Sequence, residues 1–147
     1  MDEDPLESLR ERFKLSDLTL RQYRHWTVSL RPAQPTVGAM VLSLQRPCTQ
    51  LGGILAREGE ELAEVFADVE GALGATLAPA KINYLALMMV DVQVHFHVLP
   101  RYRDDRRVGS RFFSDPSWPD PPDVAATLPL EQEDLDELLS TLRSALD

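Results

Sequence analysis

The run Gln93-Val94-His95-Phe96-His97-Val98-Leu99-Pro100-Arg101-Tyr102 alternates polar and apolar side chains from Gln93 to Val98. A strand has a side-chain period of two, so Gln93, His95 and His97 project from one face and Val94, Phe96 and Val98 from the other. Two of the chain's three histidines therefore share one face of an otherwise apolar strand, a costly arrangement unless their nitrogens find partners. Three chemistries meet that condition. The rings can be a hydrogen-bonded structural pair. They can ligate a metal, although zinc needs a third or fourth protein ligand and only Asp91, His25 and distant carboxylates are at hand. Or one imidazole attacks phosphorus while its neighbour donates to the charged oxygens.

Upstream, Ile82–Val90 is a dense apolar stretch that reads as a strand joined to Val92–Leu99 by a tight connection at Val90–Val92. Before it, Leu62, Val65, Phe66, Val69, Leu73 and Leu77 recur at steps of three and four, which predicts a long amphipathic helix over Gly59–Leu77. Leu18–Leu30 and Val37–Leu44 read as an antiparallel pair of strands across Arg31-Pro32-Ala33-Gln34-Pro35. Leu6, Leu9 and Phe13 predict a short opening helix over Leu6–Leu15.

Downstream, Tyr102–Pro129 is expected to be an irregular surface segment, pinned by Trp118 and the pair Phe112-Phe113. Leu135, Leu138, Leu139, Leu142 and Leu146 place a closing helix at Glu131–Leu146. The class is α+β. The expected organisation is one domain, 1–147, with a core at about 15–105 and a C-terminal extension at 106–147.

A chain of 147 residues, 44% hydrophobic, can bury a core and suits a single domain. Its net charge of −9, from 24 acidic and 15 basic residues, argues against a nucleic-acid polymer as partner, since phosphate backbones need clustered cations. A small nucleotide remains compatible, because a pocket can be rich in donors on an acidic surface. The lone Cys48 cannot form an intramolecular disulfide, no signal-like segment opens the sequence, and no apolar run approaches the roughly 20 residues that cross a bilayer. A cytoplasmic protein with no membrane partner is expected.

The segment from Gln93 to Leu99, with Pro100-Arg101-Tyr102 after it, resembles the histidine triad motif, in which three histidines alternate with apolar residues ahead of Pro-Arg. Leu30-Arg31-Pro32 leading to Gly38-Ala39-Met40-Val41-Leu42-Ser43-Leu44-Gln45-Arg46-Pro47 is similar to that family's strand, turn, Gly-His and strand. The order of hairpin, long helix, strand and histidine strand matches over about residues 15–105. The resemblance implies a HIT-like fold with an antiparallel sheet of about five strands. It also implies a small-molecule nucleotide ligand and a homodimer paired through the long helix and an adjoining strand.

By the same resemblance, His95 is the nucleophile. It would attack the α-phosphoryl group of a nucleoside phosphate ester, anhydride or phosphoramidate to give a nucleotidyl-histidine that water releases, with no metal or cofactor. The activity implied is that of a nucleotide hydrolase or nucleotidyl transferase. His97 matches the histidine that holds the phosphate oxygens. Gln93 takes the place of the first histidine; it can donate and accept hydrogen bonds but gains no proton near neutral pH. Arg31 stands where many members carry a ribose-binding polar residue, and Ala39 where Gly-His is usual. Met88-Met89-Val90-Asp91-Val92 stands in place of a Gly-Gln-Ser or Gly-Gln-Thr phosphate loop.

Arg31 is a candidate to meet a phosphate, Asn83 and Arg101 are candidate substrate contacts, and Asp91 is a candidate to orient an imidazole. Trp26 and Tyr84 read as core, His25 as an ordinary strand residue, and Met88 and Met89 as apolar fillers. A nucleotide-binding protein with weak turnover is the alternative function, and a metal-binding protein a further one.

Overall fold

A computed structural model describes residues 4–147. Helix α1 (Pro5–Phe13) starts where the Asp4 carboxylate accepts hydrogen bonds from the amides of Leu6 (2.9 Å) and Glu7 (3.3 Å), an N-cap that satisfies amides the helix leaves free. It stops at Lys14, whose left-handed φ of 51° turns the chain away. Five strands then form one antiparallel sheet: β1 (Thr19–Gln22), β2 (Trp26–Leu30), β3 (Met40–Leu44), β4 (Lys81–Leu85) and β5 (His95–Arg101), in the order β1-β2-β3-β5-β4. The α+β class and the five-strand antiparallel sheet are as the sequence led one to expect.

Several boundaries differ. The stretch expected as one strand over Leu18–Leu30 folds back on itself as the hairpin β1-β2, closed where Tyr23 N donates to Trp26 O at 2.8 Å. Arg24 and His25 occupy its tip, and Gln45 Nε2 donates to the carbonyls of Tyr23 (2.8 Å) and Trp26 (2.7 Å). The tight connection expected at Val90–Val92 is instead the irregular segment 86–94, because β4 ends at Leu85 and β5 begins only at His95. The tail contains a second hairpin, β6 (Arg106–Val108) with β7 (Arg111–Phe113). There Phe113 is buried, whereas Phe112 is 67% exposed and pins nothing.

Helix α2 (Ala56–Thr76) packs along one sheet face. Its buried Val65, Val69 and Leu73 meet Trp26, Val28, Leu42 and Val98, and α3 (Gln132–Leu146) adds Leu138, Leu142 and Leu146 to the same cluster. Burying each of these aliphatic side chains contributes roughly 1.5–3 kcal/mol, so the α2 face anchors the sheet. The turn from β2 to β3 is knotted by buried Gln34, whose Nε2 donates to Arg31 O (2.8 Å) and Ala39 O (2.9 Å) while its Oε1 accepts from Gly38 N (2.7 Å). Gly38 has φ +88°, and a Cβ there would lie 2.7 Å from Leu77 Cδ1, so only glycine fits.

The opposite face carries the histidines. Strand register sets Ser29, Val41 and His97 side by side in one row and Thr27, Ser43 and His95 in the next. Helix α1 lies over this face, with Leu9 and Leu15 clustered on Val41 and Phe13 against them. Among the described residues no helix is long and apolar enough to cross a membrane.

Candidate functional site

His95 and His97 stand two positions apart on β5 and share a face, their rings 5.0 Å apart between centroids and near perpendicular at 81°. Both are buried. Phe13, reaching down from α1, sits 6.4 Å from the His95 ring and 5.7 Å from the His97 ring. The imidazoles face a cleft of about 430 Å³ whose wall is completed by Arg12 and Phe13 of α1, by Arg31 after β2, by residues 87–91 of the segment 86–94, and by Val124 and Ala125 in the tail. A larger cavity of about 630 Å³ lies beyond α1, among Arg10, Lys14, Thr27 and Ser43. It contains neither histidine, so the chemistry points to the smaller one.

His95 Nδ1 lies 2.6 Å from the carbonyl oxygen of Gln93. A carbonyl only accepts, so Nδ1 carries the proton and Nε2 keeps its lone pair. Burial holds the His95 pKa below the ordinary histidine value; the Gln93 carbonyl and Asp91 oppose that shift, and Arg31 adds to it. His97 is pushed down to about 3, by burial first and then by the charge of Arg31 and by His95. Its Nδ1 is buried without a hydrogen-bond partner. Both rings are therefore neutral near pH 7.

Arg31 is 7% exposed. Among the described residues its guanidinium makes one hydrogen bond, from Nη1 to Val124 O at 3.3 Å; its Nε has no partner, and the group lies over the Phe13 ring at 5.6 Å. Burial lowers its pKa, but arginine stays charged. A buried guanidinium without a carboxylate is an open demand for an anion.

The other expected site residues lie elsewhere. Gln93 precedes β5, is fully buried, and is not among the residues lining the cleft. Its Nε2 donates to Leu44 O (3.1 Å) and Arg46 O (2.7 Å), and its Oε1 accepts from Cys48 N (3.1 Å). Its side-chain amide ties two backbone segments together, and its own carbonyl orients His95. Asn83 and Arg101 also fall outside the cleft lining. Arg101 grips Asp115 (2.7 and 3.3 Å), Asn83 Oδ1 (2.9 Å) and Asp120 O (2.7 Å), so this cluster fastens the tail to the sheet.

Asp91 reaches Arg12 Nε at 2.7 Å instead of an imidazole. His25 sits at the β1-β2 turn with its amide on Glu61. Among the described residues no three of His, Cys, Asp or Glu gather as a metal-holding group. Sequence reasoning passed over Arg12, Val124 and Ala125, and took Phe13 only as a helix-face residue. These come from the two ends of the chain and carry no local motif.

No protein-family model matches the chain, and no curated protein sequence matches it. Solved structures do. A histidine triad protein from Sinorhizobium meliloti superposes with a TM-score of 0.71 at 20% identity, covering 91% of this chain and 93% of that one. One from Marinobacter aquaeolei gives 0.70 at 20%, covering 90% and 92%. A hypothetical histidine triad nucleotide-binding protein from Sulfolobus tokodaii gives 0.69 at 14%, covering 88% and 83%. With the strand order, the long helix on one face and two imidazoles on the other, this protein has the histidine triad fold.

Proposed function

We propose that the protein is a nucleotide hydrolase or nucleotidyl transferase that attacks the α-phosphate of a nucleoside phosphate derivative and passes through a nucleotidyl-histidine at His95. The observation that carries this reading is the 2.6 Å contact between His95 Nδ1 and Gln93 O. It fixes the tautomer, so the nucleophilic lone pair is on Nε2. His97 and Arg31 are the groups that hold the phosphoryl oxygens, the first as a neutral donor and the second as a charged fork. Gln93 acts through its backbone carbonyl, while Asn83 and Arg101 serve the site by holding the tail that forms its wall.

The ligand is a small nucleotide. The covalent step uses these side chains and asks for no cofactor. The assembly that accompanies this reading is a homodimer through α2 and the adjoining β4, measurable by light scattering in solution.

The test is to incubate the protein with α-³²P-labelled adenosine nucleotides, quench under neutral denaturing conditions and map the label. Label on His95, absent in His95→Ala, is the expected result. Micromolar binding of AMP with no label and no product from any nucleotide would instead identify a binding protein.

A further inference from the structure

Departure of a leaving group from phosphorus needs either a proton for the departing atom or a group stable enough to leave as an anion. Among the described residues, the titratable side chains lining the cleft are Arg12, Arg31, Asp91, His95 and His97. Neither arginine can surrender a proton. Asp91 is buried and ion-paired to Arg12 at 2.7 Å, so it stands there as an acceptor. His95 spends its one proton on the Gln93 carbonyl. His97 is enclosed by β5, by Phe13 of α1 and by Arg31, with no carboxylate in contact to favour its cation. No lysine, tyrosine, cysteine, serine or threonine lines the cleft.

We infer that this cleft turns over nucleoside phosphates whose leaving group departs as a stable anion, namely carboxylic or phosphoric anhydrides and activated aryl esters, and discriminates against alkyl esters and phosphoramidates. The inference rests on His95 as nucleophile and narrows the substrate class of that site.

The electron balance is simple. The His95 Nε2 lone pair forms the bond to phosphorus as the bond to the leaving oxygen breaks, and that oxygen keeps the pair and leaves unprotonated. Nδ1 keeps its proton on the Gln93 carbonyl, which supports the positive charge of the phosphorylated ring. Water then attacks phosphorus, the P–N pair returns to Nε2, and the water proton is lost to solvent. A bound phosphoryl anion offsets the influence of Arg31 on His97, but burial is the larger cause of its neutrality, and an occupied cleft is drier still.

The experiment compares four compounds sharing one adenylyl group: acetyl adenylate, the p-nitrophenyl ester, the methyl ester and the phosphoramidate of AMP. The reads are kcat/KM and label on His95. The expected result is turnover of the first two, with the methyl ester and phosphoramidate slower than acetyl adenylate by at least about 10³-fold, within the range a missing general acid accounts for. The ratio of phosphoramidate to anhydride rates should be unchanged in His97→Gln, even if that variant is slower throughout.

Methyl ester or phosphoramidate rates within tenfold of the anhydride overturn the inference while leaving His95 as nucleophile intact. So does a fall in the phosphoramidate-to-anhydride ratio in His97→Gln, since that would reveal His97 as the acid. Failure of all four to label His95 removes the nucleophile and the inference with it.

Discussion

Replacing Arg31 with methionine should move stability and affinity in opposite directions. Wild-type Arg31 is 7% exposed and its guanidinium donates to one carbonyl at 3.3 Å, with Nε unpaired. An uncompensated buried charge costs about 3–5 kcal/mol. Methionine fills similar volume without that cost. Against this, the variant loses the bond to Val124, about 1 kcal/mol, and the packing of the cation on Phe13 at 5.6 Å, about 1 kcal/mol. The net gain is about 1–3 kcal/mol, which at this chain length raises Tm by roughly 2–12 °C. AMP, if held by a charged hydrogen bond from Arg31, loses about 1.5–3 kcal/mol, a weakening of roughly 10- to 150-fold in Kd. Calorimetric melting and titration of Arg31→Met with AMP measure both. A lower Tm together with an unchanged Kd would refute the reasoning, because it would make Arg31 a structural cation and not a waiting anion site.

Three other perturbations test neighbouring parts of the argument. Asp115→Asn leaves the buried Arg101 charge without its carboxylate, and unfolding should come about 3–5 kcal/mol sooner by urea titration. Burial alone would raise the Asp115 pKa, but the bonds from Arg101, Tyr102 and Ser117 hold it below the ordinary value. Its stabilisation is therefore present above the unfolded carboxylate pKa of about 3.9 and lost as pH falls below that, a loss Asp115→Asn should no longer show. Gln93→Ala abandons Leu44 O, Arg46 O and Cys48 N and should cost about 2–4 kcal/mol; Gln93→His should bring no gain in rate, since that side chain does not line the cleft. For His97, the folded pKa of about 3 lies below the unfolded value of about 6.5, so only the unfolded chain takes up a proton between those limits. Stability should fall as pH drops through that window, by about 2 kcal/mol at pH 5 from this residue, and His97→Gln should flatten the profile there.

The period of the polar residues placed His95 and His97 together because alternation along a strand is a local property, and the row pairing of Ser43 with His95 and Val41 with His97 follows from the same pleat. Arg31 also lines the cleft, since the Pro-rich turn that ends β2 directs it there. Alternation fails for Gln93. It lies just ahead of the strand, and what captures its amide are carbonyls and an amide more than 40 residues earlier, which no local pattern reports. Arg101 and Asn83 were drawn to substrate for the same reason: a polar residue near a motif shows its chemistry, whereas its partner, Asp115, lies in a Pro-rich tail that reads as irregular. That tail and α1 supply the walls of the cleft, with Val124 on one side and Phe13 on the other. The histidine pair is thus set by short-range sequence, and what surrounds it by long-range packing. This division has a measurable consequence. Leu9 is fully buried against Val41, so Leu9→Ala should cost about 2–5 kcal/mol and loosen α1 over the histidine face without touching His95. Label should still form on His95 while discrimination between leaving groups weakens, because water reaches the departing atom. A Leu9→Ala protein that loses all labelling while remaining folded by circular dichroism would show that α1 builds the geometry of the histidine pair as well as the wall in front of it.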